Sequence, residues 1–152
     1  MVDLPRIGWR ERVSLPGLDI ARVTAKVDTG ARTSSLHAFA VEVFTQAGGP
    51  WVRFGVHPSR RDSENAVWCT AEVVDQRGVR NSGGQETVRY FIATHIQLDG
   101  QAWDIEISLA PRDNMGYRML LGRTAVQGRF LVDPEKSYLL SHRSPSQART
   151  RA

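Results

Sequence analysis

Cysteine is almost absent from this 152-residue chain: Cys69 stands alone, so no internal disulfide can staple the fold, and a reducing compartment is expected. No apolar run approaches the roughly 18 residues that a membrane helix needs. Residues 1–13 hold no apolar core of the kind a secretory signal requires, and this points to the cytoplasm. Sustained helical periodicity and repeats of 20–50 residues are lacking as well, which argues against bundles, coiled coils and solenoids. What is present is the composition of a globular domain, 41% hydrophobic and 24% charged. One domain of this length buries about two thirds of its unfolded surface.

Charge of one sign is also scarce in the body of the chain. The isoelectric point of 9.8 suggests an anionic partner such as nucleic acid. Yet three of the 20 basic residues, Arg143, Arg149 and Arg151, fall in residues 141–152, which hold no acid; 17 basic residues then face 16 acidic ones over residues 1–140. That C-terminal stretch of Ser, Arg, Gln and Pro has no periodicity and reads as a disordered basic tail after a folded domain of residues 1–140. A solvated tail explains the basicity more simply than a nucleic-acid site does.

Alternation of period two recurs along the domain and predicts strands over Ile7–Leu15, Ile20–Asp28, Ser35–Phe44, Trp51–Val56, Val67–Val74, Thr87–Leu98, Gln101–Leu109 and Tyr117–Leu121. Pro16-Gly17 turns the first pair, and Asp99-Gly100 is a strong hairpin signal. The polar, glycine-containing stretch 75–86 separates two strands, as the tip of a long hairpin would. Residues 122–128 allow at most a short helix. Phe130–Val132 and Ser137–Leu140 flank the turn Asp133–Lys136 and predict a last hairpin. The expected fold is all-β, a small closed barrel. Trp9, Trp51, Trp68 and Trp103 all fall on these strands, where packing accounts for them.

One strand end carries chemistry. Val23, Ala25 and Val27 point one way and Thr24, Lys26 and Asp28 the other, so the strand finishes on a carboxylate. Thr29 and Gly30 follow at once, and glycine permits the close backbone approach that lets N–H groups point at that carboxylate.

The string Asp28-Thr29-Gly30-Ala31 resembles the active-site loop of pepsin-like and retropepsin-like aspartic peptidases. Met119-Leu120-Leu121-Gly122-Arg123 is similar to the element that packs behind that loop in retropepsins. With Lys26–Leu36, Val79–Gly84, Arg118–Arg123 and Val132-Asp133-Pro134 taken together, the chain is identified as a member of a bacterial and archaeal retropepsin-like family. That family has long been labelled "ATP-dependent zinc protease" and is often encoded beside ATP-grasp glutamate ligases. The resemblance covers roughly Ile7 to Leu140.

The resemblance implies an aspartic endopeptidase of the acid-protease barrel type. Such enzymes activate water between two carboxylates that share one proton. This sequence holds a single Asp-Thr-Gly, so the resemblance implies a homodimer in which each chain supplies one Asp28. Thr29 is then similar to the residue that braces the two loops, and Gly30 brings backbone to the carboxylate. Ser82, Gly83 and Gly84 match the flap in order, with a plain surface turn as the alternative. The implied partners are a second copy, a peptide or protein substrate and an ATP-grasp ligase; no membrane or nucleic acid is expected.

Retroviral enzymes place an Asp directly after the Asp-Thr-Gly-Ala string, where it pairs with the Arg of the Gly-Arg element. Here that position is Arg32, set against Arg123, and two cations need a carboxylate between them. With the ligase association, this suggests a pocket of Arg32, Arg80 and Arg123 for a glutamate-rich peptide. The alternative is pairing with structural acids such as Asp133 or Glu106. A binding module on the same fold and a metal-dependent hydrolase are the competing functions. His37, His57, His95, His142 and Cys69 show no ligand spacing of the zinc type, and no Walker loop is present, so no metal or cofactor is expected.

Overall fold

The computed structural model describes residues 3–59, 65–80, 83–111 and 116–141. Eleven strands and one short helix follow in order: β1 Arg6–Gly8, β2 Arg10–Leu15, β3 Ile20–Asp28, β4 Ser34–His37, β5 Phe39–Gln46, β6 Gly49–Val56, β7 Val67–Arg80, β8 Glu86–Leu98, β9 Gln101–Ala110, β10 Met119–Gly122, α1 Arg123–Val126 and β11 Leu131–Asp133. A 3-10 turn at Pro16–Leu18 joins β2 to β3. The all-β expectation holds.

Six strands close a barrel in the order β2-β3-β10-β4-β9-β8, with β2 completing the circuit through Ser14 opposite Gln97. Strands β7, β6 and β5 continue the sheet outward from β8. Closure needs β8 to serve both parts. Its residues 86–92 pair with β7, while Gln97 meets β2 and residues 91–98 meet β9. The β8–β9 hairpin turns on Asp99 and Gly100, with φ of 49° and 78°, the left-handed pair that suits the twist of such hairpins. Inside, alternate residues form one core that includes the fully buried Leu15, Ile20, Leu36, Phe54, Ile92, Ile96, Ile107, Met119 and Leu121. Each such side chain contributes about 1.5–3 kcal/mol of transfer free energy.

The structure corrects four of the expected elements. The first strand divides at Trp9 into β1 and β2, and the Ser35–Phe44 strand divides at Ala38, with Ala40 taking a left-handed φ of 51°. Most of the polar stretch 75–86 is strand, because β7 and β8 pair out to Arg80 opposite Glu86. Ser137–Leu140 is not a strand. After the turn in which Glu135 N–H donates to Asp133 Oδ1, Trp9 N–H donates to the Lys136 carbonyl and Tyr138 N–H to the Arg10 carbonyl. The chain is captured by the start of β2, and β11 pairs instead in parallel with β1.

Candidate functional site

Strand β10 is inserted between β3 and β4: Leu121 and Gly122 lie opposite Val27 and Asp28 in parallel, and Met119 and Leu120 lie opposite Leu36 and Ser35 in antiparallel. The connection from β3 to β4, residues 29–33, therefore has to arch over the end of β10. Several bonds lock the arch. Arg123 N–H donates to the Ala31 carbonyl at 2.7 Å and Thr124 N–H to the Arg32 carbonyl at 3.1 Å. Thr124 Oγ1 donates to the same Arg32 carbonyl at 2.7 Å, and Gly122 N–H donates to Ser34 Oγ at 3.0 Å.

Within the arch, the Gly30 and Ala31 N–H groups both donate to Asp28 Oδ1, at 3.0 and 3.2 Å. One carboxylate oxygen is fixed by backbone, as the Asp-Thr-Gly spacing implied, while Oδ2 has no such bond among the described residues. Asp28 is half-buried; Thr29 and Gly30 are exposed. This is a carboxylate held in one orientation at an open surface.

Arg32 and Arg123 both belong to this cluster, and both are exposed. Arg123 Nη1 donates to the Thr29 carbonyl at 3.0 Å, so its guanidinium bonds the loop backbone where retroviral enzymes use an Asp. Gly83 and Gly84 are exposed at the end of the β7–β8 hairpin, and Gly84 is left-handed at φ 83°. Ser82 lies outside the described residues, as does the side chain of Arg80.

A larger cationic feature escaped the sequence reading. A cavity of about 810 Å³ is lined by Arg10, Arg12, Arg22 and Arg118 together with Thr24 and Tyr138, and no carboxylate is among the described residues that line it. Arg10 pairs with Lys26 and Arg12 with Thr24 across β2 and β3, so both arginines share the outward face of β3 that ends on Asp28. Thr24 is four residues from Asp28 on that face, roughly 13 Å at a strand's rise of about 3.3 Å per residue. Arg118 Nη1 donates to His37 Nδ1 at 3.2 Å; since guanidinium has no acceptor, that ring nitrogen must be the unprotonated one. The usable signal was the alternation of Arg10 and Arg12, folded back on Thr24, Lys26 and Asp28 by the Pro16-Gly17 turn.

Cys69 is buried, and its thiol donates to the Leu18 carbonyl at 3.3 Å. Burial, with a smaller contribution from the Asp19 charge, pushes its pKa up to about 11, so it is no nucleophile. Among the described residues no three His, Cys, Asp or Glu side chains converge as a metal site would require, so they do not fit the zinc of the old family label. No helix among them is long and apolar enough to cross a membrane.

Comparison with known proteins adds family context. The family model described as RimB-like, "Retropepsin-like aspartic endopeptidase RimB", matches residues 6–143. A probable alpha-L-glutamate ligase from Shewanella pealeana is 44% identical over 137 residues, covering 90% of this chain and 30% of that protein. Another from Parasynechococcus marenigrum is 47% identical over 134 residues, covering 88% of this chain and 29% of that protein. The chain thus spans about 30% of the length of the curated relatives it matches. The crystal structure of Lpg0085 from Legionella pneumophila, a protein of unknown function, is similar with a TM-score of 0.75 and 26% identity, over 91% of this chain and all of that one.

Proposed function

The chain belongs to the RimB-like family of retropepsin-like aspartic endopeptidases, and from that premise we propose that it hydrolyses peptide bonds as a homodimer, through Asp28 of each copy. The observation that carries the reading is the Asp28 carboxylate, aimed by two loop N–H groups at an open surface. One chain offers one such carboxylate, and the chemistry needs a pair. A water held between Asp28 and the partner's Asp28 gives a proton to the ionised carboxylate as its oxygen bonds to the scissile carbonyl carbon. The protonated carboxyl supplies a proton to the carbonyl oxygen, which yields a neutral gem-diol. Collapse of the diol breaks the C–N bond, and the amine leaves with a proton returned by the pair. Thr29 braces the two loops, Gly30 keeps Oδ1 in place, and the exposed hairpin end at Gly83 and Gly84 is the candidate flap.

The substrate we infer is an acidic, glutamate-rich peptide. Arg10, Arg12 and Arg22, with no carboxylate among the described residues that line the cavity along β3, make it a receptor for side-chain carboxylates, and guanidinium forks match them two bonds at a time. Arg32 and Arg123 stand as candidate contacts at the Asp28 loop, and Arg80, at the end of β7, is carried as a further candidate contact. The relatives named as probable glutamate ligases support this class, and also support an ATP-grasp ligase as partner.

That same ligase context favours a second reading, a module that binds acidic peptide or ligase without cutting. The deciding experiment is cleavage of a mixed peptide library, glutamate-rich peptides included, by wild type and Asp28→Asn over about pH 4 to 7.5, with and without chelator. Cleavage that Asp28→Asn abolishes and chelator leaves intact is the expected result. Binding without cleavage by a folded dimer overturns the peptidase in favour of the module, and chelator-sensitive cleavage that survives Asp28→Asn overturns both.

A further inference from the structure

Glu11 occupies a core-facing position of β2, between Ala25 on β3 and the chain's last described segment, and it is wholly buried. Its carboxylate is fully used. Oε2 accepts from Gly8 N–H at 2.7 Å and Leu139 N–H at 2.8 Å. Oε1 accepts from Leu140 N–H at 3.2 Å, Ser141 N–H at 3.0 Å and Ser141 Oγ at 2.6 Å. Three successive backbone N–H groups and a hydroxyl thus converge on one buried charge, the arrangement by which backbone holds an anion. The effect is to lash residues 136–141 across β2 as a strap.

The strap carries one aromatic ring to the arginine-lined cavity. Tyr138 takes a left-handed backbone, φ 57°, which a bulky residue adopts only where its surroundings impose it. In that conformation its ring lies 3.9 Å from the Arg12 guanidinium carbon and 4.8 Å from that of Arg10. Arg12 is tied to the strap again, with its N–H donating to Ser141 Oγ and Nη1 to the Ser141 carbonyl. Arg10 also lies over the Trp9 ring, at 4.6 Å, and donates through Nη1 to Tyr117 Oη. Arg10 Nε is buried with no hydrogen-bond partner among the described residues, a donor left open.

We propose that Glu11 and Tyr138 are positioning residues for the cavity: the buried carboxylate fixes the strap, and the strapped ring sets the guanidinium planes of Arg12 and Arg10 to receive a substrate carboxylate. A flexible arginine loses rotamer freedom when it binds; one already stacked on a ring has lost it in advance. A purely structural strap would also hold the C-terminal segment down, but it would have no reason to force a left-handed tyrosine under two guanidinium groups. The proposal rests on the acidic-peptide reading above.

The test uses the full chain with Asp28→Asn, so that binding is read without cleavage, and compares a glutamate decapeptide with a glutamine decapeptide. Tyr138→Leu is expected to weaken the glutamate peptide by about tenfold and leave the glutamine peptide unchanged. Tyr138→Phe, which keeps the ring, restores the difference, and Glu11→Gln follows Tyr138→Leu wherever its melting curve shows a folded protein. A second measurement needs no ligand: the Nε–H resonances of Arg10 and Arg12 are expected to be shifted by ring current, and to collapse to the position of free arginine in Tyr138→Leu. Resonances that stay in place in that variant, or glutamate binding that it leaves intact, overturn the positioning role. A wild type that binds neither peptide while the resonances do collapse overturns the acidic-substrate reading instead, which separates the two failures.

Discussion

Gly122 lies directly opposite Asp28 in the parallel register of β10 with β3, and its N–H is taken by Ser34 from the far side of the arch. The carboxylate and the residue that lets the arch pass are therefore neighbours in one sheet although 94 positions apart in sequence. The Leu120-Leu121-Gly122 string and the Asp28-Thr29-Gly30 string are two halves of one object, and each predicts what substitution in the other will do.

Gly122→Ala is expected to destabilise the whole fold. A methyl there would sit 2.5 Å from the Thr33 carbonyl carbon and 2.7 Å from the Ser34 nitrogen, both backbone atoms locked by the bonds of the arch. Overpacking of that kind costs about 3 kcal/mol. Urea unfolding checks it; a change below about 0.5 kcal/mol would mean that the arch shifts freely.

Gly30→Ala separates stability from function. The added methyl would meet only Asp28 Oδ1, at 3.3 Å, so the carboxylate must move by a few tenths of an ångström while the barrel is untouched. The expected outcome is a melting temperature close to wild type and a kcat at least about tenfold lower, since misplaced catalytic groups are penalised steeply. Equal losses of both would place Gly30 among the structural residues instead.

The barrel was legible because its signals are local: strict alternation for β3 and β9, Asp-Gly for the β8–β9 turn, and a glycine-led carboxylate at a strand end. The failures are all non-local. Ser137–Leu140 alternates like a strand, but Glu11 and the start of β2 claim its backbone, and no local pattern announces a partner 128 residues away. Glu11 itself left a trace, as the one charged residue on the odd-numbered face that carries Ile7, Trp9, Val13 and Leu15. The arginine cavity needed the pairing of β2 with β3 before Arg10 and Arg12 could be seen to face the same side as Thr24.

Arg22→Gln tests the cavity from its exposed rim, where the side chain can be changed without disturbing the core. For a glutamate-rich substrate, KM is expected to rise about threefold at low salt, with kcat unaffected because the guanidinium acts on encounter and binding. At about 1 M salt, where charges are screened beyond about 3 Å, wild type and variant should converge. A KM difference that persists at high salt would assign Arg22 a packing role.

Cys69 gives the chain a specific alkaline weakness. Its pKa is raised from 9.0 to about 11, first by burial and then by the Asp19 charge. The native thiol keeps its proton and its bond to Leu18 in a range where the unfolded thiol has already lost its own. Folding stability from this source is therefore fully present below about pH 9, declines as pH rises, and is lost once pH passes about 11. The loss reaches about 2 kcal/mol near pH 10.5, since each tenfold difference in proton affinity between the folded and unfolded thiol is worth about 1.4 kcal/mol. Denaturant titrations at several pH values should show wild-type stability falling faster than that of Cys69→Ala across this interval. Alkylation at pH 8 should be slow in the native protein and fast in denaturant. If the two proteins lose stability in parallel, the thiol ionises as readily folded as unfolded, and the pocket between Leu18 and β7 must admit water.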